Sequence, residues 1–96
     1  MDTYKLKKPV GIDGKETTEL KYDLDRLGGK DIQDAIKELN RDGIAVGALE
    51  LDSNYHAAVF AKACGLAYAD MLLLSAKDYT KVCLIVRDFF LEDSEV

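Results

Sequence analysis

The chain has 96 residues and a mass of 10.6 kDa, which is room for one domain, 1–96, and no more. Folding from ~15,000 Å² of extended surface to ~5,500 Å² hides about 64% of it, a modest core with no space for a deep catalytic cleft. Thirteen basic against 18 acidic residues give a net charge of −5 and an isoelectric point near 4.7, which argues against nucleic acid and anionic membrane as partners. The polar start Met1–Lys8 lacks the apolar stretch of a signal peptide, and no run approaches the ~18 apolar residues of a membrane span. Two cysteines, Cys64 and Cys83, fit free thiols in a reducing compartment.

Apolar residues are unevenly spread. Residues 1–42 hold 13 of them, whereas residues 43–96 hold 33 and carry −4 of the net charge. The front, residues 1–27, reads as a β-hairpin. From Glu16 to Leu24 the pattern alternates, with Thr18, Leu20, Tyr22 and Leu24 on one face. Upstream, Tyr4, Leu6, Val10 and Ile12 share a parity and supply the partner strand's apolar face. Asp13-Gly14 between the runs favours a type I′ turn, in which both central residues need positive φ. Pro9 lacks an amide proton and belongs at an edge or a bulge. A two-stranded hairpin is barely stable alone, so one face needs a cover.

Residues 28–91 read as helical. After Gly28-Gly29, Ile32, Ala35, Ile36 and Leu39 fall at i, i+3, i+4 and i+7, and Gly43 marks a stop. The stretch Ile44–Leu51 fits either a short helix or an extended connector. Asp52 or Ser53 starts a second helix that runs to about Cys64 and is closed by Gly65. It is apolar almost all round, the signature of a helix central to a bundle or covered by another chain. Leu66–Leu74 gives one or two further turns. Ser75 with Asp78 resembles a capping box and opens the last helix, which runs through Tyr79, Val82, Cys83, Val86, Phe89 and Phe90 to an acidic tail, 92–96. The predicted class is α+β: an N-terminal antiparallel β-hairpin followed by a small bundle of three to four helices.

Signals for catalysis fail on geometry. Gly28-Gly29-Lys30 lacks the upstream glycine of a phosphate loop, since position 24 is Leu24, and Asp31 stands where Ser or Thr would hold magnesium. On one helix, His56 and Cys64 are eight residues and ~12 Å apart, too far for a relay. A pair with Cys83 from another helix stays open, but no third group completes it. The acidic residues are scattered without the spacing of a calcium loop. No enzyme, metal site or cofactor is expected.

The order of these elements carries a resemblance. The hairpin Leu6-Lys7-Lys8-Pro9-Val10, Ile12-Asp13-Gly14-Lys15 and Thr17-Thr18-Glu19-Leu20 resembles phage tail assembly chaperones, the nearest group being the small tail assembly proteins of Mu-like and P2-like phages and prophages. The run Ala61–Leu66, Asp70-Met71-Leu72, Leu74–Asp78 and Val86–Leu91 looks like the helical half of that family. The likeness extends from about Tyr4 to Leu91 and rests on order and spacing. It implies a non-enzymatic protein of the host cytoplasm that binds the tape measure protein before the tail tube polymerises around it and keeps it soluble. It also implies displacement before the virion is finished, and a longer, frameshifted form beside this short one. The tail tube protein and self-association are left open as further contacts.

Independently of any family, the rear of the chain has more apolar side chains than one small core needs, and exposed apolar patches mark protein–protein sites. On the last helix Val82, Val86, Phe89 and Phe90 form a stripe, while Leu84, Ile85 and Leu91 spill onto flanking positions. These four stripe residues, with Leu72 and Leu73, are the candidate protein-binding residues. The competing readings are a structural tail component retained in the virion and a small homodimeric bacterial adaptor.

Overall fold

The computed structural model describes residues 1–92. Its hairpin consists of β1 (Asp2–Ile12) and β2 (Lys15–Tyr22), paired antiparallel. Four helices follow: α1 (Gly29–Arg41), α2 (Ser53–Cys64), α3 (Tyr68–Met71) and α4 (Ala76–Leu91). The α+β order is the expected one, hairpin first and helices after. Of the expected acidic tail only Glu92 is described; 93–96 lie outside the described residues.

Asp13 and Gly14 join the strands with φ of 53° and 78°, both positive as a type I′ turn requires. Between Lys5, opposite Glu19, and Val10, opposite Thr17, the register slips. Leu6–Pro9 on β1 faces Thr18 alone on β2, so three extra residues bulge from β1, and Pro9 lies among them. A slip of an odd number reverses which face of β2 meets β1's apolar side. Thr17, opposite Val10, is therefore half-buried, and Thr18, expected on the apolar face, is exposed.

The bulge turns the Lys7 and Lys8 amides away from β2 and toward Asp78 in the first turn of α4. Lys7 N–H lies 3.0 and 3.1 Å from the two carboxylate oxygens, and Lys8 N–H donates to Oδ2 at 3.2 Å. The Tyr4 hydroxyl donates to Oδ1 at 2.7 Å, and Ser75 Oγ donates to Oδ2 at 3.0 Å. Asp78 is fully buried. Burial alone raises its pKa, but the Lys7 amide, the Tyr4 hydroxyl and the remaining donors outweigh it and hold the carboxyl below its ordinary range. Burial, reinforced by the bond to this carboxylate, pushes Tyr4 up to about 12.

The helices form for local reasons. Gly28 N–H donates to Asp31 at the start of α1, Tyr55 N–H to Asp52 at the start of α2, and Ala67 N–H to Asp70 at the start of α3. Ser75 caps α4 by accepting from Asp78 N–H at 3.2 Å. Helix α2 ends at Gly65, φ 76°, with the Leu66 amide reaching back to the Ala61 carbonyl at 2.8 Å. Arg26 lays its guanidinium on the last carbonyls of α2, 2.9 Å from Lys62 O, which ties the hairpin's exit to that helix end.

Helix α2 is the centre of the molecule. Tyr55 through Ala61 are all buried, and the helix packs against α1, α3, α4 and β2. Its alanines allow close approach of neighbours, while Phe60 reaches the hairpin, with its ring centroid 4.8 Å from that of Tyr22. The core is completed by Ile12, Leu20 and Leu24 from the front, Ala35 and Leu39 from α1, Met71 from α3, and Val82 and Val86 from α4. Ile44–Leu51 is an irregular connector, neither a short helix nor extended throughout: Gly43, φ 80°, ends α1, Gly47 N–H donates to Asp52 at 2.9 Å, and residues 49–51 form a turn in which Leu51 N–H donates to the Ala48 carbonyl at 3.0 Å.

Replacing Asp78 with Ala removes the acceptor of the Lys7 and Lys8 amides and of the Tyr4 and Ser75 hydroxyls and is expected to cost about 3 kcal/mol in denaturant titration. Asp88→Ala, at an exposed site on the same helix, is expected to change stability by less than about 0.5 kcal/mol. Because the folded pKa of Asp78 is depressed, its contribution is complete above the ordinary carboxylate range and disappears as pH falls through the folded value. Asp78→Asn therefore flattens the acid limb of the stability profile.

Candidate functional site

The connector and α4 stand side by side over the first turns of α2, and a groove runs between them. Its two adjoining depressions, of about 330 and 260 Å³, share Glu50, His56 and Arg87 as lining residues. Leu51 and Leu84 line one, and Leu49, Phe90 and Leu91 the other. Leu51 is 74% exposed and Phe90 45%, so this is apolar surface open to solvent. The connector holds its place because Asp52 binds both Gly47 and Tyr55 amides, which fixes it to the start of α2. A second apolar site lies at the α3–α4 turn, where Leu72 and Leu73 are 58% and 54% exposed.

The structure divides the predicted binding residues. Leu72, Leu73 and Phe90 are exposed. Val82 and Val86 are fully buried in the core, on a helix that packs against α2 and β1, and lie beneath the surface rather than on it. Phe89 is half-buried, edge-on to Phe90 with ring centroids 5.2 Å apart, and it lines a different depression with Tyr22 and Ile85. The reason is angular: 82, 86 and 89 turn inward with Asp78, whereas 90 is a further 100° around the helix. Leu84 and Leu91, noted as spilling beside the stripe, are on the open side, 40% and 43% exposed. Leu49 and Leu51 escaped sequence reasoning; the only signal was two leucines in a segment without a clear period.

His56 forms part of the groove floor and is 4% exposed. Burial pushes its pKa below the ordinary value, against a hydrogen bond to the Leu49 backbone and the nearby Asp52 carboxylate, which raise it. Cys83 lines the same depression, but its thiol donates to Ser53 O at 3.4 Å and burial pushes its pKa up to about 11. Cys64 is likewise pushed up by burial, to about 12. Imidazole and thiol are thus both held neutral near pH 7, the opposite of a thiolate–imidazolium pair. Among the described residues no group of three or more His, Cys, Asp or Glu side chains gathers around a metal position. No helix among them is long and apolar enough to cross a membrane.

What the described residues assemble is a small α+β scaffold with an exposed apolar groove bordered by Glu50 and Arg87. The family model for phage tail assembly chaperone proteins, described as "E, or 41 or 14", matches residues 3–91. The chain belongs to this phage tail assembly chaperone family. No curated protein and no solved structure matches it.

The His56 geometry has a consequence in solution. A base whose folded pKa is depressed below 6.5 stabilises the fold above that pH, and the contribution is lost as pH falls below it. Thermal unfolding between pH 7 and pH 5 is expected to show declining stability in wild type. His56→Gln is expected to remove that slope.

Proposed function

We propose that the protein is a non-catalytic chaperone of tail assembly that binds the tape measure protein stoichiometrically and keeps it soluble. The observation that carries this reading is the exposed apolar surface of Leu49, Leu51, Leu84 and Phe90, with Leu72 and Leu73 at the neighbouring turn. A soluble monomer rarely leaves contiguous apolar patches of several hundred Å² without a partner. A groove beside a helix suits the apolar face of an amphipathic helical client. The net charge of −5 keeps both the free protein and its complex from precipitating. In this reading the chaperone works in the cytoplasm of the bacterial host and is displaced when the tail tube protein polymerises, so it is missing from the virion.

Co-expression with the tape measure protein of the same phage is expected to raise that protein's soluble yield several-fold, and the two should co-purify. Leu51→Glu combined with Phe90→Glu is expected to abolish co-purification while leaving the circular dichroism spectrum intact, because both side chains are exposed. A tape measure protein that stays insoluble, with this chain eluting alone, contradicts the reading. So does detection of the chain at stoichiometric level in purified virions by mass spectrometry, which favours a structural tail component.

A further inference from the structure

Helix α4 has two flanks. The groove described above lies on the side of the connector; the other flank faces the hairpin and carries charge in an ordered way. Lys77, Lys81, Asp88 and Glu92 are all exposed, and together with Leu84 they follow helical spacing along one strip. Lys7 adds to the basic end, where it lines a shallow depression with Lys77, Lys81 and Leu84. Asp2 adds to the acidic end, lining another with Asp88 and Glu92. Among the described residues none of these four charged side chains of α4 takes part in an ion pair.

Their placement is symmetric. Lys81 and Asp88 lie three and a half residues on either side of the point between Leu84 and Ile85, and Lys77 and Glu92 lie seven and a half. At 3.6 residues per turn these are about one and two turns, so all four fall on the same face. Glu92 keeps helical backbone angles, φ −57° and ψ −39°, so the strip is continuous to that residue. The helix dipole has the same sense as the side chains, positive at the lysine end and negative at the acidic end.

A surface with this antisymmetry is complementary to itself. The geometry points to a second copy of this chain as its occupant, with the two α4 helices antiparallel about a two-fold axis over Leu84 and Ile85. Lys81 of each copy then meets Asp88 of the other, Lys77 meets Glu92, the dipoles oppose, and the two Leu84 side chains meet at the axis. This is a closed, isologous contact. The helix is about 24 Å long, so it presents less than the ~800 Å² per partner of a standard interface. The dimer is accordingly weak, concentration-dependent and weakened by salt. Leu84 borders both surfaces, but the dimer is measured on the chain alone, so its failure leaves the client reading standing.

Light scattering on the purified chain tests the proposal. The mass is expected to rise from 10.6 kDa toward twice that value between micromolar and millimolar concentration at low salt, and to fall back on adding sodium chloride. Lys81→Glu places like charges opposite each other twice per dimer and should raise the dissociation constant about tenfold or more. The double reversal, Lys81→Glu with Asp88→Lys, should restore association to within about threefold of wild type, because both pairs re-form with exchanged sign. A chain that stays at 10.6 kDa over the whole range overturns the proposal. A dimer indifferent to Lys81→Glu, or not restored by the double reversal, does so as well. Circular dichroism of each variant, expected to match wild type, separates loss of association from loss of fold.

Discussion

One buried carboxylate ties the first strand of the hairpin to the last helix. Aspartates stand in the first turn or at the cap of each of the four helices, and those of α1, α2 and α3 serve nearby amides. Asp78 is different: its bonds to Tyr4, Lys7 and Lys8 span 70 to 74 residues of sequence. A two-stranded hairpin has little stability of its own, and without that tie β1 would lose its link to α4. The bulge in β1 is the matching half of the device, because only amides released from the ladder can point at a helix. Once Asp78 is seated, α4 is fixed along the hairpin and its inner residues, Val82 and Val86, are committed to the core.

That commitment decides what remains outside. Helix α2 takes up neighbours on nearly every side, so α4 can bury only one face against it and the hairpin. The apolar residues left over, Leu84, Phe90 and Leu91 on α4 and Leu49 and Leu51 on the connector, collect at one groove. The chain thus leaves part of its apolar content on its exterior.

Much of this was legible from residues alone because the deciding interactions were local. Asp13-Gly14 set the turn, alternation around Leu20 and Tyr22 set the strand, and Asp52 and Gly65 bounded a helix whose all-round apolarity marked it as central. The bulge was signalled only by Pro9, and its three-residue length depends on Asp78, a partner no local pattern reveals. Periodicity on α4 identified a stripe but could not tell Val86, facing in, from Phe90, one helical step outside. Leu49 and Leu51 were hidden because an irregular connector ending in a turn has no period, and Asp52 anchors that connector through Gly47.

The claim that matters most is that the exposed leucines are a client surface while the buried ones are scaffold. Leucine-methyl NMR of this 10.6 kDa protein distinguishes them directly. On titration with helical segments of the tape measure protein, the methyl signals of Leu49, Leu51, Leu72, Leu73 and Leu84 should shift, and those of Leu20, Leu24 and Leu39 should hold still. Shifts confined to the hairpin and α1, with the groove leucines unmoved at saturating segment, would contradict the account.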